Sequence, residues 1–148
     1  MSSLIQIIII FVQNIKMSNI INFSDAAAIG LHCMITLSKS DVSLNAIQLS
    51  ERIHSSKHHI GKVLQRLVKD GYLVSQRGPT GGFELAVDPR DITLYDIYTS
   101  IEGAARNKPC VLTEKICPQD KCIREKIVGK LTRDFIDYMS SQTLAEYL

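Results

Sequence analysis

Apolar residues recur every three or four positions from residue 24 onward, which is the spacing of amphipathic helices. Ser24 can cap a first helix that runs to about Ser38, and Ser43 can cap a second, shorter helix that carries Ile47 and Ile53. The third helix, opened by a pair of serines, has one continuous apolar stripe: Ile60, Val63, Leu64, Leu67 and Val68. The pattern therefore predicts three helices before residue 70.

A short β-hairpin is predicted to follow the third helix. Gly71 stands where a left-handed residue commonly ends a helix, and residues 72–76 and 83–87 then form two short runs typical of strands. The tip between them, residues 77–82, is short and rich in glycine, and Pro89 is expected to end the second strand.

A fourth helix, a loop and a long final helix complete the pattern. Thr93 can cap the fourth helix, which closes at Gly103, and residues 104–122 have no periodicity. Apolar residues then return at every fourth position: Ile123, Ile127, Leu131, Phe135 and Met139. This order predicts a mainly α protein with a small β-hairpin wing, that is, a winged helix-turn-helix followed by a long C-terminal helix.

The first sixteen residues have a composition of their own. Leu4 to Val12 contains too few apolar residues to cross a bilayer, which needs roughly 20. A signal peptide would carry its positive charge before the apolar run, whereas Lys16 follows it here. Two explanations stay open: translation naturally starts at Met17 and residues 1–16 are a non-native or flexible arm, or the arm packs on a partner subunit. Both predict a cytoplasmic protein that does not enter a membrane.

Charge is concentrated in the middle of the chain. The 148 residues carry a net charge of only +2, and 45% hydrophobic residues are enough for one domain with a core. Residues 52–90 hold seven basic and three acidic side chains and so carry +4, while the other ten basic and twelve acidic residues give −2. A local basic surface of this kind is expected of a protein that binds phosphate backbones.

The helix pair and the wing predict which residues contact DNA. The N-terminal residues of the second helix of such a pair enter the major groove, and an arginine at a rigid, narrow tip suits the minor groove. The candidates are Ser56, Lys57, His58, His59, Gly61, Lys62 and Arg66 on the third helix, and Arg77, Gly78 and Pro79 at the tip. The alternatives are a merely solvated helix face and an ordinary turn. The glycine-rich tip lacks the Lys-Ser/Thr of a nucleotide-binding loop, so we predict no phosphate hydrolysis.

Three cysteines lie close together in the loop at residues 104–122. Cys110, Cys117 and Cys122 have the spacing C-x6-C-x4-C, which favours a metal or redox site over a disulfide framework in a cytosolic chain. An iron–sulfur cluster, zinc, thiol redox chemistry and an inert loop all stay open on spacing alone. A thiol-redox enzyme is disfavoured because the chain lacks a C-x-x-C motif and an evident base. Cys33 is expected to be a buried apolar residue.

Several motifs together resemble the Rrf2 family of winged-helix transcriptional regulators, over about residues 22–148. They are Leu67 to Gly71 leading into the run 74–83, Ile92 to Ile97, Glu102-Gly103, the three-cysteine loop, and Thr143 to Ala145. The resemblance implies a cytoplasmic homodimer that binds a palindromic operator in double-stranded DNA. It places Arg77 in the minor groove, residues 56–62 in the major groove, and the stripe from Ile123 to Met139 in the dimer interface. The expected regions are therefore the arm (1–16), the DNA-binding domain (17–103), the cluster loop (104–122) and the dimerisation helix (123–148).

The resemblance also implies an iron–sulfur cluster. Cys110, Cys117 and Cys122 match the family's three thiolate ligands, and Asp25 resembles the aspartate that the partner subunit supplies in the nitric-oxide-sensing NsrR branch. Asp25 could instead be a carboxylate that favours the start of a helix. The histidine ligand of the IscR branch is absent, since Glu125 stands there. The altered cysteine spacing leaves 2Fe–2S and 4Fe–4S both open.

The resulting hypothesis is a DNA-binding regulator, expected to be a repressor and not an enzyme, whose operator binding depends on a cluster that senses nitric oxide, redox state or iron supply. The alternative is a cluster-free regulator of the same family, controlled by a partner protein, a metabolite or thiol oxidation.

Overall fold

A computed structural model describes residues 22–79, 81–105 and 123–148, with side chains from residue 126 in the last of these ranges. The elements are α1 (Asp25–Ser38), α2 (Ala46–Ile53), α3 (Lys57–Lys69), β1 (Leu73–Ser75), β2 (Phe83–Leu85), α4 (Leu94–Glu102) and α5 (Ile123–Ser141), with 3-10 turns at Pro89–Asp91 and Leu144–Tyr147. The predicted fold, mainly α with a small antiparallel hairpin wing, is confirmed. Among the described helices, none is long and apolar enough to cross a membrane.

Most helices begin where the sequence predicts, because a side-chain oxygen there accepts a hydrogen bond from a free backbone N–H. Ser24, Ser56 and Thr93 each cap a helix in this way, at 3.2, 3.2 and 3.1 Å. The predicted start of α2 at Ser43 is wrong, since Asn45 is its cap. The Asn45 side chain accepts from the backbone of Gln48 at 3.0 Å, and the Gln48 side chain accepts from the backbone of Asn45 at 2.8 Å.

The wing explains why α2 starts late. Leu44 forms an isolated antiparallel bridge with Phe83, through N–H to O bonds of 3.1 and 2.9 Å, so α2 has not yet begun at residue 44. Gly82 permits this pairing, because a Cβ there would lie 2.7 Å from the carbonyl carbon of Leu44. At Gly81 a Cβ would lie 2.3 Å from the backbone oxygen of Gln76. Gly82 thus lets the wing lie against the segment before α2, and Gly81 lets the two sides of the wing approach each other at its tip.

The strands of the wing are shorter than predicted. Leu73, Val74 and Ser75 pair with Leu85, Glu84 and Phe83 respectively, and the ladder ends there. Pro89, expected to end the second strand, instead opens a 3-10 turn in which the Asp88 side chain accepts from the backbone N–H of Arg90 at 2.9 Å.

The core lies between α1, α3 and α4. The buried stripe of α3 predicted from the sequence is confirmed for Ile60, Val63, Leu64 and Leu67. Gly30 marks a close approach of α1 to its neighbours: a Cβ there would lie 2.0 Å from Ile101 Cδ1 and 3.4 Å from Val63 Cγ1. Gly30 is therefore the point where α1 approaches α3 and α4 closely, within the part of the structure that we call the winged head, residues 25–102.

The chain after α5 returns to the winged head. Thr143 bridges to Thr93, the Leu94 N–H donates to the Gln142 oxygen at 3.0 Å, and the Leu144 N–H donates to the Ile92 oxygen at 2.8 Å. Leu144 itself is fully buried in the core. The head is consequently completed by residues that follow the long helix.

Candidate nucleic-acid interface

The N-terminal end of α3 presents a polar surface on a rigid helix. Lys57 and His58 are exposed in its first turn, Lys62 and Arg66 are exposed farther along, and the opposite face of the helix is buried in the core. His59 and Gly61, also predicted to contact DNA, are partly exposed. A helix held by its apolar face and free at its N-terminal end has the arrangement that helix-turn-helix proteins use in the major groove.

The turn between α2 and α3 contains an unusual backbone conformation. His54, the C-cap of α2, is left-handed with φ 56° and ψ 41°, and the described residues include no other non-glycine residue with positive φ. This conformation lets the chain turn within the three residues between α2 and α3, so that Ser56 lies at the start of α3. This role of His54 was not predicted, because no distinctive sequence pattern marks a left-handed histidine.

The tip of the wing presents a free arginine. Arg77, Gly78 and Pro79 are all exposed, and the Gly81 N–H donates to the Gly78 oxygen at 3.0 Å, which closes the tip as a tight turn. Gly78 has φ +123°, so the turn needs glycine at that position. Neither ion pair found within the described ranges, Asp88–Arg90 and Lys130–Asp134, involves Arg77.

The basic residues predicted to contact DNA share this freedom. Lys57, Lys62 and Arg66 also have no acidic partner in an ion pair within the described part of the chain. Unpaired cations of this kind can neutralise phosphates without first breaking an internal ion pair, so the arrangement is suited to a polyanion such as DNA.

The predicted cluster ligands are placed only in part. Cys110, Cys117 and Cys122 lie outside the described residues, so their arrangement stays a prediction. Asp25 is the first residue of α1 and is exposed. The described residues contain no group of three or more His, Cys, Asp or Glu side chains that could hold a metal ion. Burial raises the pKa of the Cys33 thiol to about 12, which leaves that cysteine a poor ligand and a poor nucleophile.

The predicted dimer stripe on α5 divides between two environments. Ile127 and Leu131 are 58% and 39% exposed, whereas Met139 is 5% exposed and buried in the core of its own chain. Phe135 packs edge-on against Tyr98 with ring centroids 4.9 Å apart. The side chain of Ile123 lies outside the described ones. Tyr138, which the sequence analysis did not select, is 58% exposed on the same helix.

A contact between distant parts of the chain was also missed. Asn22 and Ser24 both donate hydrogen bonds from their side chains to the carboxylate of Glu102, the last residue of α4. Separations of 80 and 78 residues leave no signal in a single sequence, although the pair Glu102-Gly103 was part of the family motif.

Comparisons with known proteins agree with this geometry. The family model described as Rrf2, an iron-dependent transcriptional regulator, matches residues 23–148. The HTH-type transcriptional regulator BadM of Rhodopseudomonas palustris is 34% identical over 116 residues, which cover 78% of this chain and 70% of that protein. Two solved structures are each 25% identical. One is CymR, the global cysteine regulator of B. subtilis, with a TM-score of 0.68 over 82% of this chain and 92% of that chain. The other is IscR of T. potens, with a TM-score of 0.67 over 82% of both chains.

Proposed function

Because the chain belongs to the Rrf2 family of transcriptional regulators, we propose that it is a repressor that binds a palindromic operator as a homodimer in the cytoplasm. The observation that carries the proposal is a set of exposed basic side chains on α3 and at the wing tip that have no ion-pair partner among the described residues. Both elements are rigidly fastened to the winged head, so two heads held at a fixed distance would fit two half-sites one helical turn apart.

Different residues of the winged head would contact different parts of the DNA. His58, His59, Gly61 and Lys62 would face base edges in the major groove, and Ser56, Lys57 and Arg66 would contact phosphates that fix the register. Arg77 would enter the minor groove, supported by Gly78 and Pro79, where a narrow groove concentrates negative potential. Specificity would therefore come from α3 and much of the affinity from the surrounding cations.

The dimer would form through the exposed face of α5. Ile127, Leu131 and Tyr138 recur at helical spacing, and all three are accessible to a second copy. Phe135 and Met139 would support this face from inside the protomer, since they pack against its own core.

Control of DNA binding would lie in residues 104–122. The donor set fits an iron–sulfur cluster, since Cys110, Cys117 and Cys122 would supply three thiolates and Asp25 of the partner subunit a carboxylate. When bound, a cluster supplies bonds that nitric oxide, oxygen or iron limitation can break. The exposed position of Asp25 beside the cap of α1 supports this role, because the carboxylate is not needed inside its own head.

A cluster-free regulator is the second candidate, and it is favoured by the likeness to CymR, the global cysteine regulator. In that case the loop cysteines would respond as thiols, or a partner protein or metabolite would bind.

Native mass spectrometry and absorption of anaerobically purified protein separate the two candidates. A dimer with the added mass of a cluster and visible absorption that nitric oxide bleaches supports the first, and a colourless dimer after reconstitution with iron and sulfide supports the second.

DNA binding is tested separately with a duplex selected by the protein from a randomised library. Lys62→Ala should weaken binding to that duplex, whereas Lys69→Ala, on the same helix but at its far end, should have much less effect. Failure to select any sequence, or equal effects of the two variants, would contradict the assignment of α3.

A further inference from the structure

The residues just before α1 are held against the end of α4. The Glu102 carboxylate accepts from Asn22 Nδ2 with one oxygen and from Ser24 Oγ with the other, so both oxygens are engaged by one short stretch of chain. We call residues 22–24 the N-terminal segment. The two hydrogen bonds attach the N-terminal segment to the end of α4.

The attachment continues into the first turn of α1. Ser24, which donates to Glu102, is also the cap of α1 and accepts from the backbone N–H of Ala27 at 3.2 Å. A negative charge close to a helix N-terminus is favourable as well. The position of the Glu102 carboxylate therefore bears directly on the start of α1.

Aromatic contacts fix the same segment to α4 and α5. The Phe23 ring stacks on Tyr98 with centroids 6.3 Å apart and meets Phe135 edge-on at 6.5 Å. The Tyr98 hydroxyl donates to the backbone oxygen of Asn22 at 3.2 Å. The N-terminal segment thus joins the two helices between which residues 103–122 run.

Glu102 lies between the N-terminal segment, the chain that carries the three cysteines, and the contact between α4 and α1. It is the last residue of α4, so the chain that carries the three cysteines departs directly after it. Its neighbour Ile101 is buried where Gly30 of α1 comes closest, and Val63 of α3 lies at the same place. Packing contacts therefore connect the end of α4 with α1, and α1 with α3, the helix that would read DNA.

We propose that Glu102 is a positioning residue that couples the state of the cysteine-containing residues 104–122 to the DNA-reading helices, by holding the N-terminal segment and the start of α1 against the end of α4. This role rests on the proposed function. It requires that a change at the cysteines loosens or shifts the hydrogen bonds of Glu102. Without these hydrogen bonds, a change at the cysteines should no longer alter the DNA affinity of the winged head.

The test compares operator binding before and after alkylation of the cysteines with N-ethylmaleimide. Cys33 is fully buried with its pKa raised to about 12, so the reagent should modify the other three, as mass spectrometry can verify. The dissociation constant for the selected duplex is measured by fluorescence anisotropy on the full-length protein. The response is the ratio of the constants after and before alkylation.

For the wild type we expect alkylation to raise the dissociation constant, so that the ratio is well above one. For Glu102→Ala we expect this ratio to be smaller by about fivefold or more, a size typical of coupling between sites. Glu102→Gln should give an intermediate ratio, because its amide keeps one acceptor oxygen; it also serves if the alanine variant folds poorly. The matched control is Asp70→Ala, which removes another carboxylate–serine hydrogen bond, from Ser100 at 2.6 Å, without touching the N-terminal segment. That variant should keep the wild-type ratio.

The outcomes separate the two proposals. If the wild type responds and Glu102→Ala responds equally, Glu102 has no coupling role, whatever its effect on stability. If the wild type binds the duplex but does not respond, cysteine control of the proposed function fails, and the coupling role fails with it. Hydrogen exchange gives an independent check: Glu102→Gln should raise exchange at the first amides of α1 hydrogen-bonded within the helix, and unchanged protection there would refute the attachment.

Discussion

Gly30→Ala tests how tightly α1 and α4 are packed. The new Cβ would lie 2.0 Å from Ile101 Cδ1, a distance that requires the methyl group or a helix to move, but 3.4 Å from Val63 Cγ1, close to ordinary contact. The clash is thus concentrated on one methyl group. Ile101→Val removes that methyl group, so the two substitutions form a double-mutant cycle on a single contact.

Gly30→Ala makes two contributions of opposite sign to the free energy of unfolding. Alanine is favoured over glycine inside a helix by about 1 kcal/mol, whereas overpacking a core costs about 1–3 kcal/mol. We therefore expect Gly30→Ala to lower the free energy of unfolding by about 1 kcal/mol in the wild-type background. Ile101→Val alone should cost about 1 kcal/mol. With valine at position 101 the clash is gone, so adding Gly30→Ala should raise the free energy of unfolding by up to about 1 kcal/mol.

Urea unfolding followed by far-UV circular dichroism, at one fixed protomer concentration, measures all four corners of the cycle. Gly61→Ala is the matched control, because a Cβ there would meet nothing within 4 Å and should report helix propensity alone in both backgrounds. If Gly30→Ala destabilises equally with isoleucine and with valine at position 101, the Cδ1 methyl is not the obstacle, and the described helix contact is wrong.

Three further predictions follow from particular residues. Arg77→Ala should weaken specific DNA binding by more than the loss of one phosphate contact, and a change confined to the salt dependence, by about one unit of slope, would make Arg77 a backbone contact instead. His54→Gly should raise the free energy of unfolding by about 1 kcal/mol, because glycine adopts the left-handed conformation without strain, and an unchanged urea midpoint would argue against the turn as described. Hydrogen bonds from Arg90 lower the pKa of Asp88 from 3.8 to about 2. The ionised Asp88 therefore stabilises the fold above pH 3.8, and this stabilisation is lost as the pH falls to about 2. The stability difference between the wild type and Asp88→Asn should therefore narrow between about pH 4 and pH 2, and a constant difference would contradict the attribution.

Local rules account for what could be predicted. The caps at Ser24, Ser56 and Thr93 and the buried stripe of α3 depend on residues within one or two turns of each other, so a single sequence contains them. The start of α2 at Asn45 also has a local signal, the capping pair Asn45 and Gln48, which the choice of Ser43 overlooked. The pairing of Leu44 with Phe83 of the wing has no such signal, because the two residues lie far apart along the chain.

The predicted dimer stripe on α5 shows a second reason why a sequence pattern can mislead, namely the geometry of the helix. Four residues turn an α-helix by about 400°, so a stripe that repeats every fourth residue drifts by about 40° at each step. From Ile127 to Met139 the drift is about 120°, and the two ends of the predicted stripe face different surroundings, one exposed and one in the core. Tyr138 completes the exposed face because it falls seven residues after Leu131, which is close to two full turns. The candidate DNA contacts on α3 and at the wing tip are all at least partly exposed, and their contact with DNA stays a prediction.

The return of the chain to the head after α5 has a consequence for biosynthesis. Leu144 fills the core beside Ile92, and the backbone around Thr143 pairs with the start of α4. A nascent chain that has emerged from the ribosome only as far as α4 lacks this closing piece, so its head leaves apolar surface open to water and to other chains. Maturation of the head must then wait until translation has passed Leu144. Incomplete chains released early would be substrates for chaperones and proteases rather than competitors for DNA.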